Sequence, residues 1–82
     1  MLKLQVEDCI IEWASEAFYD ERNDIAPEIE VLSLQYDREE DLWEAELYVS
    51  ACPNDVCVTF WLTHHHFLRD NDVHIETVEY LR

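Results

Sequence analysis

Apolar and polar residues alternate in twos over the longest patterned stretch of the chain, Trp43 to Thr63. Trp43, Ala45, Leu47, Val49 and Ala51 form one apolar face, and after a break Val56, Val58, Phe60 and Leu62 form another. That period belongs to a strand. The break holds Asn54-Asp55 after Pro53. Asn and Asp accept left-handed backbone, so a two-residue hairpin loop is expected. Pairing about that loop sets Ala51 opposite Val58, Val49 opposite Phe60 and Leu47 opposite Leu62. On the other face it sets Cys52 beside Cys57, Ser50 beside Thr59 and Tyr48 beside Trp61. Both faces match under this one register, which supports a hairpin.

Upstream the period changes to 3.6. From about Leu4 to Arg22, Val6, Ile10, Trp13, Ala14 and Ala17 share a face, with Cys9 and Phe18 at its margins. Glu7 and Asp8 suit a helix N-terminus and Arg22 a C-terminus. Asn23-Asp24 and Pro27 end the element. The alternative is a short strand over Leu2, Leu4 and Val6, with the helix starting at Glu7. Glu28 to Tyr36 reads as a strand whose alternation slips between Val31 and Leu32, the mark of a bulge. Beyond it Leu32, Leu34 and Tyr36 point inward. Asp37 to Asp41 is a charged turn into the hairpin. His64-His65-His66-Phe67-Leu68 leads to a polar break at Arg69 to Asp72, and β-branched residues mark Val73 to Tyr80 as a fourth strand. The expected fold is α+β, a single domain over residues 1–82. One N-terminal helix packs on an antiparallel sheet of three to four strands, in the order α-β-β-β-β. Trp13, Trp43 and Phe60 are expected to meet in its core.

Charge sharpens this picture. The chain has 82 residues, with 20 Asp and Glu against 5 Lys and Arg, a formal net charge of -15. Nucleic acid and anionic membranes are therefore poor partners, and basic protein surfaces good ones. With no glycine, the chain lacks phosphate-cradling loops and the hydrolase nucleophile elbow. The longest uncharged run, Val56 to Leu68, falls short of the roughly 20 residues needed to span a bilayer. The first residues show no apolar signal core, so a cytoplasmic protein is expected. Cys9, Cys52 and Cys57 form no secreted disulfide framework. Cys52 and Cys57 could bridge if oxidised, or serve as small half-buried hydrophobes.

The acids are segregated: 15 of them lie within residues 1–46. Asp8, Glu12, Glu16 and Asp20 recur every four residues, which lines them up on a helix about 6 Å apart. Like charges at that spacing cost a helix a few tenths of a kcal/mol per pair. Glu39, Glu40 and Asp41 crowd the turn, and Glu44 and Glu46 share one face of a strand roughly 6–7 Å apart. Phosphates along a DNA strand rise by about 3.4 Å and lie roughly twice that apart in space. These rows therefore suit a basic nucleic-acid-binding groove; a solvated polar face is the plain alternative. Tyr48 and Trp61 would add an apolar patch for a partner or a homodimer.

Other chemistry has thinner support. His64 and His66, with His74, have the residue types for a zinc site, but no further ligand is placed by the sequence. His65 falls opposite Glu44, so a His–carboxylate contact is the simpler expectation. Ser15, Ser33 and Ser50 lack a patterned His–acid partner. The expectation is a protein that is not an enzyme and needs no cofactor or metal.

In size, charge and expected fold, the chain resembles the small acidic α+β inhibitors that phages and mobile elements use as nucleic-acid mimics. Uracil-glycosylase inhibitors and anti-CRISPR proteins are among them. The likeness rests on no motif and transfers no site residue. It implies a viral-type inhibitor of an anti-CRISPR, anti-restriction or glycosylase-inhibitor kind, acting on a basic, nucleic-acid-handling protein. Two other readings compete with it. One is a small adaptor or structural subunit docking through Tyr48 and Trp61. The other is an immunity protein or antitoxin that neutralises a basic nuclease.

Overall fold

The computed structural model describes residues 3–65 and 70–81. Helix α1 spans Lys3–Ala17, followed by strands β1 (Ile29–Asp37), β2 (Leu42–Val49), β3 (Val56–His65) and β4 (Asp70–Tyr80). The strands form one antiparallel meander in the order β1-β2-β3-β4. This is the α-β-β-β-β fold that the pattern predicts. β4 begins three residues before Val73 and takes up much of the expected polar break.

The helix buries Val6, Ile10 and Ala14 against Leu34, Ala45, Leu47, Val49, Val56, Val58 and Phe60 of the sheet. Each large, fully buried side chain among these contributes roughly 1.5–3 kcal/mol. Trp13 and Trp43 pack against the same cluster from its margins, and Trp13 meets Phe18 edge-on at 6.0 Å. α1 contacts both edge strands, β1 and β4. It therefore crosses the sheet: about 22 Å of helix spans a sheet about 15 Å wide. The thinnest dimension of the molecule, 19 Å, is that of one helix layer on one sheet layer.

The helix is shorter than its apolar period suggests. Phe18 N–H still donates to the Ala14 carbonyl at 3.0 Å, but Asp20 and Ile25 then exchange two backbone hydrogen bonds of 3.1 Å around a tight reversal. Asp24 sits there in left-handed backbone at φ 53°. The Asp20 carboxylate holds the turn, accepting from the N–H groups of Arg22 at 3.1 Å and Asn23 at 3.2 Å and from Asn23 Nδ2 at 2.9 Å. Asp20 and Arg22 are thus turn residues outside the helix, and Ala17 is exposed at its end. The first helical turn holds no acid, so Glu7 and Asp8 do not cap it. Val6 is helical, which rules out the alternative N-terminal strand.

The β2–β3 register also departs from expectation. Trp43 faces Phe60, Ala45 faces Val58 and Leu47 faces Val56. Ala51 does not face Val58, Cys52 does not face Cys57, and Tyr48 does not face Trp61. A type I′ loop needs positive φ at both central residues, yet among the described residues positive φ occurs at Asp24 and Asp41, not at Asn54 or Asp55. Residues 50–55 instead form a longer loop that bonds elsewhere. Ser50 N–H donates to the Glu28 carbonyl at 3.0 Å and Ser50 Oγ accepts from Glu28 N–H at 2.8 Å. The Asp55 carbonyl accepts from Leu81 N–H at 2.8 Å. The slip covers an even number of residues, so each strand keeps its core face.

The bulge in β1 lies between Val31 and Ser33. It turns Leu32 outward to 45 % exposure, whereas Leu34 is buried. Tyr36 faces Trp43, with ring centroids 5.1 Å apart, at an exposed rim of the inner face.

Candidate functional site

The helix covers one face of the sheet, and no described element covers the other. Alternation sends Glu44, Glu46 and Tyr48 of β2 and Cys57, Thr59, Trp61 and Thr63 of β3 to the uncovered side. Pairing arranges them in rungs. One rung runs Ser33, Glu46, Cys57, Glu79, and the next runs Gln35, Glu44, Thr59, Thr77. Glu30 stands beside Tyr48, His74 beside Trp61 and Asp72 beside Thr63. Neighbouring strands lie about 4.8 Å apart, so Glu46 and Glu79 flank Cys57 at roughly 10 Å from one another across the strands.

Three carboxylates converge on the Cys57 thiol. Burial pushes its pKa up, and the charges of Glu44, Glu79 and Glu46 push it further. Glu44 also accepts a hydrogen bond from the protonated thiol. The group is held as a thiol, which is the poor nucleophile of its two forms. Cys52 and Cys57 form no disulfide with each other. The Thr59 and Thr77 hydroxyls hydrogen-bond to each other across β3 and β4, pinning the centre of the face.

None of the four strands contains a Lys or Arg. An ordinary solvated sheet face pairs opposite charges across strands, because like charges side by side are unfavourable. This face leaves Glu30, Glu44, Glu46 and Glu79 without a Lys or Arg neighbour in the sheet.

The acids singled out in the sequence fall in three places. Asp8, Glu12 and Glu16 are exposed on α1, the layer on the opposite side of the molecule from Glu44 and Glu46. Asp20 has left that row for its turn. Glu39, Glu40 and Asp41 occupy the β1–β2 turn at one end of the sheet, where Asp37 Oδ1 accepts from Glu39 N–H at 2.9 Å and Glu40 N–H at 3.4 Å. A single flat partner cannot meet the helix row and the sheet row together.

Tyr48 and Trp61 do not form the expected patch. Both face outward, 41 % and 39 % exposed, but the true register sets Trp61 level with Leu42, about 20 Å along β2 from Tyr48. Trp61 stacks on His74 instead, with centroids 5.1 Å apart and planes within 12°. Sequence reading missed Glu30, Asp72, His74 and Glu79 as members of this face. Their alternation could have flagged them, but only with the register in hand.

His65 faces Asp70, not Glu44. His64 faces Asn71, three register positions from the Trp61–His74 pair, and His66 lies outside the described residues. Among the described residues no group of His, Cys, Asp and Glu could hold a metal ion, and no helix is long and apolar enough to cross a membrane. Comparison with protein-family models, curated proteins and solved structures finds no match.

Proposed function

We propose that this chain is a small, non-enzymatic, acidic inhibitor acting in the cytoplasm. It binds the basic nucleic-acid-binding surface of a host protein with carboxylates in place of phosphates. The observation that carries the reading is the uncovered sheet face, where Glu44, Glu46 and Glu79 converge and the strands hold no Lys or Arg. A fold gains nothing from this arrangement, whereas a basic partner gains steering and complementary contacts. Rigid strands hold the carboxylates at spacings close to those of phosphates.

The sheet face is the favoured surface over the helix row because it adds aromatic side chains and a hydrogen-bonded strand backbone to charge. The adaptor reading loses the joint Tyr48–Trp61 patch on which it depended. Affinity capture from host lysate, eluted with a salt gradient and challenged with duplex DNA or RNA, tests the proposal. Retention should fall with salt, compete with nucleic acid and drop on combining Glu44→Gln, Glu46→Gln and Glu79→Gln. Asp8→Asn, Glu12→Gln and Glu16→Gln together should leave it largely intact. Retention that survives the sheet substitutions and ignores nucleic acid would remove the reading.

A further inference from the structure

The ladder between β2 and β3 stops at Trp43–Phe60, while β3 runs on to His65 paired with β4 alone. A gap opens between that extension and the β1–β2 turn. It forms a cleft of about 680 Å³ whose lining includes Tyr36, Glu40, Asp41, Trp43, Trp61 and Leu62. Three aromatic rings and two carboxylates thus share one concavity.

The acidic rim is held in place by the turn. Asp37 fixes the backbone of Glu39 and Glu40, and Asp41 takes left-handed backbone at φ 55°, a conformation Asp tolerates better than most residues. The Tyr36 hydroxyl donates to Asp41 Oδ1, leaving Oδ2 to accept from a ligand. The cation of this turn, Arg38, is not among the lining residues. On the opposite wall, stacking on His74 braces Trp61.

We propose that this cleft binds an arginine side chain of a protein partner. The guanidinium stacks on the exposed rings of Trp61 and Tyr36, and its N–H groups donate to the carboxylates of Asp41 and Glu40. A guanidinium fits better than an ammonium because it is planar, weakly hydrated and able to donate in a fork. The volume exceeds one side chain and admits the residues flanking that arginine. The proposal rests on the partner reading for the source of the arginine, but the binding itself can be measured without the partner.

The test uses the full chain and a blocked arginine amide, followed by NMR of the three indole N–H signals. Blocked lysine and citrulline amides serve as comparisons, citrulline being the neutral near-isostere. Arginine should shift Trp43 and Trp61 saturably and leave Trp13, on α1 and outside the lining, in place. Citrulline and lysine should bind about tenfold more weakly. Asp41→Asn retains an acceptor for Tyr36 and tolerates the same backbone, and it should weaken arginine binding about five- to tenfold. Trp61→Ala should do the same. Equal binding of lysine or citrulline, equal shifts at Trp13, the lack of saturation, or unchanged affinity in both variants would overturn the cleft assignment. Each of these outcomes leaves the sheet-face proposal to its own Glu44, Glu46 and Glu79 substitutions.

Discussion

The β2–β3 register decides which carboxylates share a rung, and a cross-link can measure it. Glu46 faces Cys57 on the uncovered side, where a substitution leaves the core intact. Directly paired Cα atoms in an antiparallel ladder lie about 4.5–5.5 Å apart, within the roughly 4.4–6.8 Å that a disulfide requires. Glu46→Cys, in a chain also carrying Cys9→Ala and Cys52→Ala, should therefore close a bond to Cys57 on mild oxidation. The closed loop runs from residue 46 to residue 57, and the loss of chain entropy in the unfolded state gives about 3 kcal/mol for that length. At about 4–8 °C per kcal/mol for a domain of this size, the oxidised form should melt about 12–24 °C above its reduced form, less whatever strain the bond carries. Thiol titration in denaturant shows closure, and melting with and without reductant gives the gain. The loop-based register puts Thr63 opposite position 46, about 20 Å along β3 from Cys57, too far to bridge. A Cys9→Ala chain that keeps Cys52 and Cys57 should retain both thiols under the same oxidation. Closure of Cys52–Cys57 there, with none between position 46 and Cys57, would refute the register and the rung of acids built on it.

Phe60→Ala removes a fully buried ring at the centre of the core and should cost about 3–5 kcal/mol by urea denaturation, whereas Leu32→Ala at the exposed bulge should cost under about 1 kcal/mol. Cys57 and Tyr36 both have pKa values raised on folding, Cys57 first by burial and then by its carboxylates, Tyr36 first by its hydrogen bond to Asp41. The native state holds these protons more tightly, so their contribution is complete below the ordinary values of 9.0 and 10.0 and is lost as pH rises through the folded values. Melting temperature should thus fall above about pH 9, and fall less in a Cys57→Ala chain. Asp20 is the opposite case: its bonds to Asn23 and Arg22 lower its pKa below 3.8. Its contribution is present above that value and lost as pH falls through the lowered one, and carboxyl NMR titration should show it among the last acids to protonate.

Local patterns along the chain were enough to determine the elements, their order and most of their inner faces, Leu32 being the residue expected inward that the bulge turns outward. Period 3.6 over Val6 to Ala14 and period 2 over Trp43 to Leu62 each mark the apolar side, whatever the element packs against. The bulge near Leu32 was likewise visible as a slip in alternation. Net charge and the scarcity of basic residues, 5 Lys and Arg against 20 Asp and Glu, made a basic partner the expectation before any fold was known. Register was beyond reach, because alternation repeats every two residues and any even slip satisfies it equally. Only the tertiary bonds of Ser50 to Glu28 and of Asp55 to Leu81 drew residues 50–55 out of the ladder. That slip separated Tyr48 from Trp61, brought Glu46 and Glu79 to either side of Cys57, and opened the cleft where β2 begins. The helix end was decided in the same way. Asp20 keeps the i, i+4 spacing of Asp8, Glu12 and Glu16, but its carboxylate satisfies three donors in the turn before Ile25, and those bonds hold it off the helical row.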